Sequence, residues 1–391
     1  MSVIGIVCEF NPFHNGHKYL IDSVKKQGDI VVCVMSGNFV QRAEPALFPK
    51  ELRVKAALLN GADIVLELPF VYATASAEIF AYNAVKILDS FGCDKLAFGT
   101  ENTTIEQLND IVDILNDNCF DSKIKEFLKI GDSFASARQS ALNSYDDRLN
   151  IDMPNNILAV EYIKAIRKLN SEIEPICINR VGAGYNDDFA IDKFASATHI
   201  RSLINQNQSF ENFVPENCFA LYSDSINNGQ VLSQEKYDLT SLVLLRSRLF
   251  DNSDNIANMS EGLENRIDDA IKSSVNLNEI YDKAKTKRYT HSRVRRAVLC
   301  RQFNISKIDL NIDVPYCRLL GFNKSCEKML GELVKNSSLP FITRFSDALK
   351  INDEKINKIF EYEDKSTDFY NFILKKPDIC SKERLYSPVK V

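Results

Sequence analysis

The stretch Ile6–Ile21, IVCEFNPFHNGHKYLI, holds two of the chain's four histidines, His14 and His17, on either side of Gly16. It opens as an apolar run, breaks at Asn11-Pro12, and resumes with helical periodicity in HKYLIDSVKK (17–26). A strand, a glycine turn and a helix in that order begin a strand–helix–strand unit, and the following segments repeat it. VIGIVCEF (3–10), DIVVCVMSG (29–37), DIVLELPF (63–70), KLAFGTE (95–101) and EPICINRVG (174–182) read as strands, with helical patterns at 50–62, 77–91, 104–116 and 155–169 between them. Strands that are apolar almost throughout are buried on both faces, as in a parallel sheet covered by helices. The expected fold is α/β, with a Rossmann-like five-stranded parallel sheet.

Beyond residue 205 the pattern changes. Amphipathic helical stretches occupy 239–250, 258–274, 278–288, 291–303 and 327–336, and only YCRLLGF (316–322) offers a strand. A chain of 391 residues exceeds one ordinary core. Two domains are therefore expected, a nucleotide-binding catalytic domain over 1–205 and a mainly helical domain over 206–391.

A composition of 45% hydrophobic and 26% charged residues fits a folded globular protein and argues against a disordered or fibrous one. No run of 18 apolar residues suggests a membrane helix, and the first twenty residues lack the pattern of a signal peptide, so a cytoplasmic protein without a membrane partner is expected. The ten cysteines form no C-x-x-C pair, which favours reduced, buried thiols over a metal site or disulfides.

In an open parallel sheet, ligands bind beyond the carboxyl ends of the strands. Here the five exits read EFNPFHNGH, SGNFVQR, ELP, FGTE and NRVGAGY, each with a Gly or Pro turn beside polar groups. His14 and His17 fall where the first strand enters its helix, a place where free backbone N–H groups and the helix dipole favour an anion. Gly16 lets a phosphate approach the backbone, and the imidazoles supply donors for charge developing on a phosphoryl oxygen. H-x-x-H can also be half of a zinc site, or a surface pair. No third ligand has suitable spacing, and the order of strand, turn and helix favours phosphate.

H-x-G-H after a first strand resembles the signature of the nucleotidyltransferase superfamily, whose HUP-type α/β fold is shared with class I aminoacyl-tRNA synthetases. SATHIRS (196–202) resembles that superfamily's second element, T-x-I-R at the start of a late helix. The segments GIVCEFNPFHNGH, MSGNFVQRAEPA, GADIVLELPF, LAFGTE, PNNILAVEY, INRVGAGY, EGLENR and KRYTHSRVRR extend the likeness over most of the chain to the bacterial tRNA(Met) cytidine acetate ligases. That resemblance implies an enzyme that uses ATP to activate acetate as acetyl-adenylate and then acetylates the N4 amine of the wobble cytidine of elongator tRNA(Met). It implies a catalytic group of His14, His17, Lys18, Thr198 and Arg201, the last two on the triphosphate. It implies ATP contacts along Val7, Cys8, Glu9, Phe10, Asn11, Pro12, Phe13, His14, Asn15, Gly16, His17, Lys18, Tyr19 and Leu20, with Gly99, Asn155, Arg180 and Val181 around the adenosine.

For acetate the candidates are Gly37, Asn38, Gln41 and Arg42, since a carboxylate suits an arginine and backbone donors. Glu9 and Glu101 are candidates for orienting a ligand or the histidines. Between Lys283 and Phe303 the chain carries eight lysines and arginines and no acid, Lys287, Arg288, Arg293, Arg295 and Arg296 among them. In a chain of net charge −5 such a run points to tRNA phosphates. Mg²⁺ is expected with ATP as its counter-ion, with no dedicated carboxylate cage for it, and no obligate protein partner is evident. Two rivals share these features in part. A small-molecule adenylyltransferase would use the histidine turn but not the basic run, and a nucleotide- and RNA-binding protein without chemistry would need the histidines only for affinity.

Overall fold

The computed structural model describes residues 1–130, 134–179, 193–249 and 251–391. Its strands are β1 (Val3–Cys8), β2 (Ile30–Ser36), β3 (Phe39–Val40), β4 (Glu44–Pro45), β5 (Ile64–Leu68), β6 (Lys95–Thr100), β7 (Glu174–Asn179), β8 (Cys317–Phe322), β9 (Phe341–Ile342) and β10 (Val389–Lys390). The five strands expected from the sequence are β1, β2, β5, β6 and β7, and they lie side by side in the order β5-β2-β1-β6-β7. All four pairings are parallel, with Ile6 opposite Cys33 on one side and Ala97 on the other. The chain moves outward from β1 to β2 and β5, then returns to place β6 on the opposite side of β1. That reversal opens a crevice above the carboxyl ends of β1 and β6.

Period-two alternation sorts the apolar residues onto the two faces. Val32, Val34, Ile64 and Leu66 join one core beneath the helices Ala77–Ser90 and Pro154–Leu169. Val31, Cys33, Met35 and Val65 join the other, beneath α1 (Asn15–Val24) and the helix Lys50–Leu59. Because both faces are covered, the strands can be apolar at every position, which is the pattern the sequence displays.

The sheet is larger than the five strands expected. β8 pairs antiparallel with β5, setting Ile64 against Phe322, while β9 and β10 pair with β8 to make eight strands. Thus the segment 206–391, helical over most of its length, also completes the edge of the first half's sheet. At that junction Lys50, Glu67, Arg318 and Glu383 are fully buried and mutually ion-paired, with Lys50 Nζ 2.7 Å from Glu67 and from Glu383, and Arg318 Nη1 2.6 Å from Glu67. Arg318 also pairs with Glu383. Glu383 lies near the end of the chain, so four charges drawn from distant segments tie the last residues to the sheet.

No described helix is long and apolar enough to cross a membrane.

Candidate active site

A cavity of about 190 Å³ lies over the carboxyl ends of β1, β6 and β7. Its floor is Ile6–Asn11, Phe98, Gly99, Ile178 and Asn179, and α1 contributes Gly16, His17, Tyr19 and Leu20. The helix Ala197–Asn205 adds Ala197, Thr198 and Arg201, and the β3–β4 hairpin adds Val40, Gln41, Arg42 and Glu44.

The two histidines are shaped by the helix they begin. His14 is the N-cap of α1, and its Nδ1 accepts a hydrogen bond from Gly16 N at 3.0 Å. His17 Nδ1 accepts from His14 N at 3.3 Å, so the pair forms a reciprocal capping box. An Nδ1 that accepts carries no proton, so each neutral imidazole keeps its hydrogen on Nε2. The rings stack with centroids 3.7 Å apart, and Phe10 and Phe13 hold His17 from its edges at 4.9 and 5.6 Å. Gly16 is required for this arrangement, because a Cβ there would stand 2.9 Å from His14 Cε1. A Ser196 cap starts the second helix by accepting from His199 N. One turn on, Arg201 donates through Nη1 to the Asn11 carbonyl at 2.8 Å and through Nη2 to Thr198 Oγ1 at 3.2 Å. The T-x-I-R element is thereby joined by a direct hydrogen bond to Asn11, in the turn that leads into H-x-G-H.

Two further side chains hold the loops. Arg53 is fully buried and donates to the carbonyls of Phe48, Glu9, Ser36 and Gly37, pinning the exits of β1 and β2 together. Glu9 accepts from Gln41 N at 2.7 Å, and its burial raises the carboxyl above the usual range. Glu44 lies between two guanidiniums, with Oε1 3.8 Å from Arg201 and Oε2 3.1 Å from Arg295.

The model of the HIGH nucleotidyl transferase family matches residues 1–384. The tRNA(Met) cytidine acetate ligase of Thermoanaerobacter sp. (strain X514) is 38% identical over 407 residues, covering all of both chains. That of Acetivibrio thermocellus is 37% identical over 401 residues, 96% of each chain. The chain is a HIGH nucleotidyl transferase of the tRNA(Met) cytidine acetate ligase family. Among solved structures, Thermotoga maritima TmcAL in its apo form superposes with a TM-score of 0.92 at 32% identity over the whole of both chains. The same protein bound with alpha-thio ATP superposes with a TM-score of 0.90 at 33% identity, over 100% of this chain and 99% of that one.

In this HIGH nucleotidyl transferase most of the expected residues converge. Val7, Cys8, Glu9, Phe10, Asn11, His14, Gly16, His17, Tyr19, Leu20, Arg42, Gly99, Asn155, Thr198 and Arg201 all line the cavity. Four expected ATP-site residues do not line it. Pro12 follows a cis peptide bond in the turn, and Phe13 is buried, its N–H bonded to the Tyr222 hydroxyl at 3.0 Å. Asn15 donates to the carbonyls of Lys193 and Asn212, and Lys18 Nζ faces solvent paired with Asp22. Arg180 and Val181 lie outside the described residues.

Of the acetate candidates, Gly37 and Asn38 stand away from the cavity. Asn38 is buried and bonded to Thr367 Oγ1 and Lys50 N, while a Cβ on Gly37 would meet Glu67 at 3.0 Å. Their loop is held inward in part by the buried Arg53, whose guanidinium donates to the Gly37 carbonyl. Gln41 and Arg42 do reach the cavity.

The basic run does not form one surface. Lys285, Lys287 and Arg288 are exposed in the loop between the helices Leu277–Ala284 and His291–Phe303. Arg288 and Arg293 pair with Glu261 at 3.3 and 3.1 Å, Arg296 is half-buried, and Arg301 is buried against the carbonyls of Arg248 and Asp251. Acids from distant segments supply counter-charges that the run itself lacks. Arg53 and Glu44 were not singled out from the sequence. Glu44 sits in the quoted QRAEPA segment, but its place between two arginines follows from tertiary contacts. Among the described residues no group of three or more His, Cys, Asp or Glu is placed to hold a metal ion.

Proposed function

We propose that this protein is a cytoplasmic tRNA(Met) cytidine acetate ligase, using ATP to activate acetate and transferring the acetyl group to the N4 amine of the wobble cytidine of elongator tRNA(Met). The observation that carries the reading is the meeting of His14, His17, Thr198 and Arg201 in one cavity at the switch point of the sheet. Full-length likeness to ligases of that name supports the substrates.

In the first step an acetate oxygen attacks the α-phosphorus of ATP, the bond to the bridging oxygen breaks, and pyrophosphate leaves with the electron pair. The difficulty is bringing two anions together and bearing charge on the phosphoryl oxygens. The stacked imidazoles present their Nε2–H groups to that charge, backed by the N-terminus of α1. Arg201 and Thr198 hold the departing pyrophosphate, and Arg42 with Gln41 receives the acetate carboxylate. Gly99 and Asn155 stand where the adenosine fits. Mg²⁺ arrives with the nucleotide. In the second step the cytidine N4 attacks the acetyl carbonyl carbon, the carbon–oxygen bond to phosphate breaks, and AMP leaves. The exposed cations Lys285, Lys287 and Arg288 engage the tRNA backbone, which positions the tRNA without identifying it.

Acetate-dependent exchange of labelled pyrophosphate into ATP tests the first step. His17→Ala should lower exchange by about 100-fold while changing the Kd for ATP several-fold at most, as expected for a donor that acts mainly in the transition state. Equal losses in both would leave His17 with a binding role only.

A further inference from the structure

A second cavity, of about 230 Å³, adjoins the first. Both are lined by Glu44 and Arg201, so these two side chains form the wall between them. Its floor is Pro45, Leu47, Leu277, Tyr237 and Tyr281, all buried, and its rim includes Asn205, Gln234 and Asn278, all exposed. Arg295 closes the side away from the sheet, its guanidinium 5.2 Å from the centre of the Tyr281 ring. Tyr281 and Arg295 belong to the two helices joined by the exposed cationic loop 285–290.

We propose that this second cavity seats the target cytosine, with Glu44 receiving its exocyclic amine and accepting the proton that amine loses. The assignment rests on the tRNA reading above and adds to it a place for the base. Cytosine offers a donor amine at N4 and acceptors at N3 and O2, and a carboxylate is the usual partner of that amine. Among the described residues the only carboxylate lining this cavity is Glu44, at the wall beyond which acetyl-adenylate forms, and Arg295 beside it supplies donors for the acceptor edge. Tyr237 and Tyr281 line the cavity, so an unstacked base entering it meets aromatic side chains, with the Arg295 guanidinium over the Tyr281 ring. Arg295 occupies Oε2 at hydrogen-bond distance, whereas Oε1 is 3.8 Å from Arg201, too far for a hydrogen bond, and among the described residues it has no hydrogen-bond donor. As N4 bonds to the acetyl carbon and AMP leaves with the electrons of the broken carbon–oxygen bond, one N4 proton passes to Oε1. Glu44 then releases it to solvent.

The test compares pyrophosphate exchange with single-turnover transfer from preformed acetyl-adenylate to tRNA(Met). Asn278→Trp places a bulky ring over the exposed rim, at a residue that does not line the first cavity. It should leave exchange within twofold of the parent and lower transfer at least tenfold. Glu44→Gln should lower the transfer rate at saturating tRNA by about 100-fold, a larger loss than its loss of exchange, as expected when a base is removed. Transfer by Asn278→Trp at the parent rate would overturn the placement of the base. Equal losses of exchange and transfer in Glu44→Gln would overturn its role in proton transfer. If the parent protein itself formed acetyl-adenylate but no acetylcytidine, the tRNA reading would fall, and this assignment with it.

Discussion

At the scale of single residues the site depends on side chains with two duties each. His14 and His17 cap a helix with Nδ1, so one hydrogen-bond pattern sets both the fold of the turn and the tautomer, with the proton on Nε2, that the proposed phosphate role needs. Arg201 uses separate nitrogens on the Asn11 carbonyl and on Thr198, a geometry that a lysine cannot reproduce. Arg201→Lys should lower kcat/KM for ATP about 100-fold, and Thr198→Ala less, in the exchange assay. Residues with this motif chemistry were legible in the sequence because strand, glycine and helix are local signals. Glu44 was not, since its importance comes from lying within ion-pair distance of Arg201 and Arg295, which are far from it in the chain. The position of Gly37 and Asn38 away from the first cavity was hidden for a similar reason: polar loop residues next to a strand end can turn toward buried groups as readily as toward a ligand.

Among elements, the strand exits are aligned by the helix Lys50–Leu59 through Arg53. Its guanidinium reaches the carbonyls of Glu9, Ser36 and Gly37 at the ends of β1 and β2 and that of Phe48 just before the helix, and burial lowers its pKa from the usual value. Arg53→Met keeps much of the volume but leaves those carbonyls without a donor. A loss of about 3 kcal/mol in chemical denaturation is expected, with weaker ATP binding because the loops of Glu9 and Gln41 lose their anchor. The five parallel strands could be read from their unbroken apolar runs. The pairing of β8 with β5 could not be read as pairing, although YCRLLGF suggested a strand, because the partners are separated by about 250 residues and antiparallel register has no local signature.

For the whole molecule, the buried charges beside β5 and β8 join Lys50 and Glu67 of the first half to Arg318 and Glu383 of the second. Glu363, beside them, is pushed well above the usual carboxylate range by burial and by the charge of Glu67. Lys50 and Arg318 then balance Glu67 and Glu383. Burial alone would raise Glu383, but Arg318 and Lys50 outweigh it and hold the carboxyl at about 2. A depressed carboxyl contributes stability above its unfolded value, near 4.5, and that contribution is lost as pH falls toward 2. Glu383→Gln should therefore cost about 3–5 kcal/mol at pH 7 by leaving a buried cation uncompensated, whereas Glu363→Gln should change stability by about 1 kcal/mol or less. Chemical denaturation of both variants at pH 7 and pH 4 distinguishes them. The most direct measurement of the account as a whole is the nucleoside composition of elongator tRNA(Met) after incubation with the protein, ATP and labelled acetate. Label in N4-acetylcytidine at the wobble position, dependent on ATP and lost in His17→Ala, is the predicted result; a protein that exchanges pyrophosphate with acetate yet leaves that cytidine unlabelled would contradict it.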